Sequence, residues 1–380
     1  MKFRCSRDVL FDALQVVQRG ISSQDAVPAL TGVLMEATAG TGLTLTTTDM
    51  EVSARLTVDV QVSEEGVALV PARVLTDTVK SLSDAPVEFE ADGVQAWIRC
   101  APYEGTLRLL PAKDFPVVRP PSGAPVVLPA GDFVQAVGQV TKAASRDKAR
   151  RPVLTGVLLE VGRETATLVA TDSYRLAVRE LVASAPGEAR AIVPKRALSK
   201  AAQVVPKRAR SKAARASQAL DDGEVRIVIE ENQASFQIGR LMLTSQLIEG
   251  EFPNYRQFIP EGYKGRLTVS REQLMDAVRR VGLLVRDKSP VRMEFNAFGV
   301  KLSSQSPDLG QAAMVVEARY EGEELTVAFN PTYLLDGLAA ASGESVRIEV
   351  QDELKPGVIR GEREDFTYLV MPVRLFAPAG

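Results

Sequence analysis

The sequence predicts an α+β chain built from three similar domains in tandem. Two observations carry that prediction: a duplicated strand–turn–strand segment, and two helix designs that each occur three times. The duplicated segment reads PALTGVLMEATAGTGLTLTTTDMEVSARL from Pro28 to Leu56 and PVLTGVLLEVGRETATLVATDSYRLAVRE from Pro152 to Glu180. Pro28, Leu30, Thr31, Gly32, Val33, Leu34 and Glu36 recur as Pro152, Leu154, Thr155, Gly156, Val157, Leu158 and Glu160. Thr48-Asp49 recurs as Thr171-Asp172, one residue out of step, and only the second copy continues as Tyr174-Arg175-Leu176. Self-similarity on this scale means one folding unit used repeatedly.

Each third opens with a short strand and a capped helix. After the strand Lys2–Cys5, Ser6 precedes a helix whose apolar face is Leu10, Ala13, Leu14 and Val17. After Val126–Leu128 the counterpart near Gly131 carries Phe133, Val134, Val137 and Val140. After Arg266–Val269 comes Ser270, with Gln273 placed for a capping box and Leu274, Ala277, Val278 and Val281 on one face. A second helix follows a strand in VALVPARVLTDTVKSL from Val67, AIVPKRALSKAAQ from Ala191 and VAFNPTYLLDGLAAA from Val327, with proline suited to the helix start. Alternating strands come next: Val87–Glu90, Val225–Ile229 and Val346–Val350. Pro and Gly concentrate at Arg119–Pro125 and Pro260–Gly265, which sets expected domains at 1–122, 126–260 and 264–380.

One segment breaks the symmetry. VPKRALSKAA at Val193–Ala202 is followed by VPKRARSKAA at Val205–Ala214, a tandem basic insertion near 193–216 with a period of 12 residues in the sequence numbering. It reads either as a solvated basic loop or as a nucleic-acid contact, and Pro206 interrupts any continuous helix through it.

Composition excludes several chemistries. The 380 residues are 45% apolar and 25% charged, with a formal net charge of −2, as in ordinary soluble globular proteins. There is no histidine, so imidazole acid–base chemistry, Ser-His-Asp triads and HExxH zinc sites are absent. No phosphate-binding glycine motif or nucleophile elbow occurs. Cys5 and Cys100 form neither a CxxC pair nor a disulfide framework, and no apolar run is long enough to span a membrane. The chain reads as a cytoplasmic protein without cofactor or metal.

Four motifs then carry a resemblance: MKF at the start, ATDSYRLAV at Ala170–Val178, EGEFPNYRQFIP at Glu249–Pro260 and YLVMPVRL at Tyr368–Leu375. Over nearly its whole length the chain resembles the bacterial sliding-clamp family, the beta subunits of DNA polymerase III. The resemblance implies three DNA-clamp domains per chain and a head-to-tail homodimer closed into a ring, helices lining the hole and sheets outside. It implies a non-enzymatic processivity factor that encircles duplex DNA without reading its sequence. It also implies a surface cleft where the polymerase III alpha subunit, the clamp loader, other DNA polymerases and repair proteins dock short peptides.

Carried over by motif, the cleft positions are Leu154, Thr171, Tyr174, Arg175, Leu176, Pro253 and Phe258, then Leu354, Pro356, Val370, Met371, Pro372, Val373 and Arg374. The arginines suit a peptide carbonyl or carboxylate, and methionine suits varied partners. Candidate DNA-facing cations sit on the expected lining helices: Arg73 and Lys80, Lys142 and Arg146, Lys195, Arg196 and Lys200, Lys207 and Arg208, Arg279 and Arg280. Lys148 and Arg150 fall in an adjoining loop. Because net charge is near zero, DNA affinity requires segregation of charge onto one face. The resemblance places Leu107 on one side of the dimer interface and Leu283 and Leu284 on the other, through an exposed edge strand.

Three departures from the family pattern stand out. Ser173-Tyr174 replaces a common Gly-His, Gln257 replaces a common arginine, and Gly105 stands where a large apolar residue is frequent. The chain also runs on past Arg374-Leu375 as Phe376–Gly380, whose hydrophobic start suits a visit to a cleft. Two other readings remain: a monomeric DNA-binding scaffold using the basic tract, and a carboxylate-dependent nuclease using Asp49 or Asp172. For the latter, the shared position of the two aspartates argues for a turn.

Overall fold

A computed structural model of the chain describes residues 1–21, 27–205, 223–285, 289–306 and 308–374. The first domain runs β1 (Lys2–Ser6), α1 (Arg7–Val17), β2 (Gly32–Thr38), β3 (Gly42–Thr48), β4 (Val52–Val58), β5 (Gln61–Glu64), β6 (Gly66–Pro71), α2 (Ala72–Ser81), β7 (Pro86–Ala91), β8 (Gln95–Cys100) and β9 (Tyr103–Arg108). The second runs β10 (Val126–Pro129), α3 (Ala130–Val140), β11 (Gly156–Val161), β12 (Thr165–Thr171), β13 (Arg175–Val182), β14 (Ala189–Pro194), α4 (Lys195–Val204), β15 (Glu224–Ile229), β16 (Gln233–Ile238) and β17 (Leu241–Gln246). The third runs β18 (Gly265–Ser270), α5 (Arg271–Gly282), β19 (Val291–Asn296), β20 (Gly299–Ser306), β21 (Gly310–Glu317), β22 (Arg319–Gly322), β23 (Leu325–Phe329), α6 (Pro331–Ala340), β24 (Ser345–Val350), β25 (Gly357–Arg360) and β26 (Phe366–Val370).

The local chemistry follows the residues. Ser6 Oγ accepts from Val9 N at 3.3 Å and Ser270 Oγ from Gln273 N at 3.5 Å, so both first-helix caps form. The four apolar residues expected on α1 and the four on α5 are all buried. On α3, Val134 is half-buried and Ala136 takes a buried place beside Val137 and Val140. The Pro-x-Leu-Thr repeat has a reason: in both copies the threonine hydroxyl donates to the proline carbonyl at 2.7 Å, closing a 3₁₀ turn ahead of the strand.

By contact the three domains gather into two compact units. One is Met1–Val134, Ala183–Ala189 and Arg196–Leu247; the other is Gln135–Val182, Arg190–Lys195 and Ile248–Gly380. Edge pairing explains the division. In the first unit β4 runs antiparallel to β17, joining strands of the first and second domains in one eight-stranded sheet of order β10-β15-β16-β17-β4-β3-β2-β6. A five-stranded sheet, β5-β1-β7-β8-β9, belongs to the same unit. In the second unit β13 runs antiparallel to β26 within a nine-stranded sheet, β14-β11-β12-β13-β26-β25-β24-β18-β22, beside a four-stranded sheet, β21-β20-β19-β23. Each middle-domain half therefore shares its ladder with a neighbour. Hydrogen-bonded edges are also protected edges.

Candidate partner-binding cleft

The turn between β12 and β13 sets the geometry of the site. Asp172 Oδ1 accepts from Tyr174 N at 3.0 Å and Arg175 N at 3.1 Å, while Thr171 Oγ1 accepts from Ser173 N at 3.1 Å and donates to Arg175 O at 2.7 Å. Ser173 takes φ +77°, a left-handed conformation that costs a non-glycine residue energy and that this hydrogen-bonded turn imposes. The first domain repeats the arrangement: Asp49 Oδ1 accepts from Glu51 N and Val52 N, Thr48 Oγ1 from Met50 N, and Met50 takes φ +71°. The Thr-Asp pair is thus a turn device in both copies.

Arg175 is the anchor behind that turn. Its Nε donates to Asp172 Oδ2 at 3.0 Å and its Nη1 to Asp336 Oδ2 at 2.6 Å and Tyr368 Oη at 3.5 Å. Nη2 donates to the Lys142 carbonyl at 2.5 Å, and the guanidinium lies 4.4 Å over the Tyr333 ring. Burial works against its charge, but Tyr368, Asp336 and Asp172 outweigh it and push the pKa up. Four of its five donors therefore have acceptors inside the protein. Arg374, by contrast, is exposed.

Over this anchor lies an apolar floor. Leu154, Leu158, Val169, Leu176, Phe252, Tyr255, Val358 and Leu369 pack in one buried cluster, and Val370, opposite Arg175 in the β13–β26 ladder, is buried as well. Leu154 and Leu176 thus belong to that buried cluster, and Val370 is buried outside it. Other expected cleft residues stand out from it: Tyr174 is 63% exposed, Leu354 56%, Phe258 51% and Met371 39%. Each is tied to the floor by its own element. Met371 N donates to Tyr174 O at 2.8 Å, Leu354 caps the β24–β25 turn held by Asp352, and Phe258 ends the short helix that begins with buried Tyr255. Thr171, Pro356, Pro372 and Val373 are half-buried and Pro253 is exposed. Val373 N donates to Ala328 O at 2.8 Å, which fixes the segment after β26.

Sequence reasoning missed Tyr333, Asp336 and Tyr368. Tyr333 stacks on Tyr174 with centroids 6.5 Å apart, and Tyr368 Oη donates to the Tyr333 carbonyl at 3.0 Å. Tyr333 and Asp336 sit at i and i+3 on α6, a polar pair on one side of a largely apolar helix, and that spacing was the available signal.

The basic residues are distributed less simply than expected. Arg73 and Lys80 on α2, and Arg279 and Arg280 on α5, are exposed helix residues, with Arg280 paired to Asp276 at 2.7 Å. Lys142 and Arg146 are not on α3: it ends at Val140, a 3₁₀ turn carrying Lys142 follows at Thr141–Ala143, and Thr141 Oγ1 donates back to Val137 O. Lys142 Nζ lies 3.5 Å from Asp336. Arg150 and Lys148 occupy a turn built on Asp147. On α4, Arg196 reaches Asp49 at 2.6 Å and Lys200 reaches it at 3.6 Å, so both spend charge on the first domain's turn. Burial, then repulsion from Arg146 and Arg175, lowers the pKa of Lys195. Lys207 and Arg208, with most of the tandem tract, and the tail from Leu375 lie outside the described residues. Leu107 is half-buried on β9, the edge of the five-stranded sheet, and Leu283, 79% exposed, follows α5 with half-buried Leu284.

Among the described residues no group of three or more His, Cys, Asp or Glu could hold a metal ion. Tandem domains of one design, whose edge strands fuse into shared sheets, are the architecture of the DNA clamps. Comparison with known proteins agrees. Three domain families match in order: the DNA polymerase III beta subunit N-terminal domain over residues 1–119, central domain over 127–254 and C-terminal domain over 256–374. The beta sliding clamp of Streptomyces coelicolor is 34% identical over 99% of this chain and 100% of its own length. That of Pseudomonas aeruginosa is 31% identical over 99% and 100%. The DNA polymerase sliding clamp of Bacillus subtilis superposes with a TM-score of 0.91 at 27% identity, covering 99% of this chain and 100% of that one. A Pseudomonas aeruginosa clamp solved bound to griselimycin gives 0.90 at 30% identity, with the same coverage. The chain belongs to the DNA polymerase III beta subunit family, the sliding clamps: it is a non-catalytic processivity subunit of that polymerase.

Proposed function

We propose that two copies of this chain close head to tail around duplex DNA in the cytoplasm. The cleft over Leu176 then tethers the replicative polymerase alpha subunit, the clamp loader, other polymerases and repair proteins. Domain boundaries at 1–122, 126–260 and 264–380 belong to this reading. The observation that carries it is the set of exposed apolar residues, Tyr174, Phe258, Leu354 and Met371, on the segments that flank the buried cluster. Large exposed apolar residues gathered at one place mark an interaction site.

Ring closure has its own support. β17 and β26 each end the second half of their domain and each pairs with the fourth strand of a first half, β4 or β13. β9 and β21 hold those same two positions, and each is left as an open edge of its sheet. An antiparallel β9–β21 pairing between copies would make the third junction like the other two. The cations on α2 and α5, with Lys195, Arg146, Lys148, Arg150 and the tract containing Lys207 and Arg208, would meet phosphates through weak, salt-screened contacts that permit sliding.

Tethering is tested at the rim. Leu354→Asp combined with Met371→Asp places two charges in the groove. The expected result is binding at least about 30-fold weaker for a labelled peptide carrying the clamp-binding segment of the cognate alpha subunit, with little change in melting temperature. Fluorescence anisotropy reads it. Unchanged affinity would remove this groove as the docking site.

A further inference from the structure

The core face of the five-stranded sheet runs out to its open edge. Phe3, Phe89 and Ile98 are buried on it, and buried Ala96, Ile98 and Cys100 of β8 stand opposite Leu107, Gly105 and Tyr103 of β9. At the internal junction of β4 with β17 the corresponding row is buried throughout: Ala54 faces Leu243 and Leu56 faces Leu241. On β9 the row is only partly covered, because that edge has no strand beside it in one copy.

Gly105 leaves a notch in the middle of this row, and Tyr103 fills it. A Cβ built on Gly105 would lie 2.2 Å from the Tyr103 hydroxyl oxygen and 2.7 Å from Cζ, and its three nearest heavy atoms all belong to that side chain. An aromatic ring laid over a glycine shields backbone that the glycine would expose. The same device recurs on β18, where a Cβ on Gly265 would lie 2.1 Å from the Tyr320 hydroxyl. Tyr103 nevertheless keeps 41% of its surface exposed, because no strand lies on the outer side of β9 in one copy. The opposite open edge, β21, offers half-buried Ala312 and Met314 on its core side, near Leu302 and Ser304, with Val315 exposed.

We infer that Tyr103, folded over Gly105, is the side chain through which β9 completes its apolar row against β21 of a second copy of this chain. The inference rests on the head-to-tail dimer proposed above and names the residue that closes it. Tyrosine suits the place: the hydroxyl end of a rigid ring covers the notch, and the rest of the side chain stays partly exposed. Leu107, two positions along, continues the row.

Sedimentation equilibrium of wild type, Tyr103→Phe, Tyr103→Ala and Tyr103→Ala with Gly105→Leu tests it, with circular dichroism to establish folding. Tyr103→Ala is expected to raise the dimer dissociation constant at least about tenfold, and Tyr103→Phe to stay within about threefold of wild type. Leucine at 105 in the alanine background refills the notch from the strand itself and is expected to recover most of the loss. A wild-type dimer matched within twofold by folded Tyr103→Ala overturns the inference and leaves the head-to-tail dimer standing. If the alanine variant does not fold, a folded double variant that still fails to dimerise overturns it equally. A wild type that remains monomeric at micromolar concentration overturns the dimer itself, and this inference with it.

Discussion

Arg175→Ala is expected to destabilise the second unit by about 3 kcal/mol and to abolish measurable partner-peptide binding. The guanidinium is 10% exposed and bridges Asp172 on the turn to Asp336 on α6. Removing it leaves two carboxylates facing each other across a cavity, deprives the Lys142 carbonyl of its donor and takes the cation from the Tyr333 ring. The turn that presents Tyr174 then loses its hold, so the peptide groove fails along with stability. Arg175→Lys is expected to recover little, since one ammonium on a flexible stem cannot reach acceptors arranged around a planar fork. Urea denaturation monitored beside peptide anisotropy checks both effects. A lysine variant with wild-type stability and affinity would mean that the charge alone matters.

Asp365→Asn carries the second large effect. Arg179 is 1% exposed, and its ion-pair partner is Asp365, which also meets Arg363 at 2.6 Å. Burial pushes the Asp365 carboxyl up, but hydrogen bonds and charge from Arg179 and Arg363 prevail and hold it below the ordinary carboxylate range. A carboxylate depressed in the folded state stabilises the fold fully above its unfolded value, near about 4, and that stability is lost as pH falls through the lower folded value. The asparagine variant leaves a buried guanidinium with a neutral partner, a loss of about 3 kcal/mol at pH 7. The gap to wild type is expected to narrow as the wild type is acidified. Denaturation midpoints at pH 7 and pH 3 measure it, and a gap constant across that range would contradict the account.

Much of the fold was legible because its signals are local. Ser6 and Ser270 announce helix starts within four residues, the faces of α1 and α5 follow helical spacing, and the Pro-x-Leu-Thr turn closes within its own four residues. The Thr-Asp pair was readable as a turn for the same reason. α3 shows the limit: Lys142 and Arg146 continue a plausible helical register, but Thr141 tightens the last turn and ends it. The cleft was legible only as a set of residue types. Which apolar residues form the floor and which form the rim depends on the β13–β26 pairing, whose partners lie nearly two hundred positions apart in the sequence. Arg175 shows this most sharply, because its partners Asp336 and Tyr368 come from the next domain and decide that its charge is used internally. The two-unit division was hidden likewise, since edge pairing between domains leaves no local mark.

The central claim is that the chain holds DNA by topology rather than by affinity. The most direct measurement loads it on nicked circular plasmid with its cognate clamp loader and ATP, then follows retention before and after a single linearising cut. Slow loss from the circle and rapid loss from the linear form, with the difference persisting as salt is raised, is the predicted result. Equal retention on both forms, falling together with salt, would make the chain a surface binder and contradict the account.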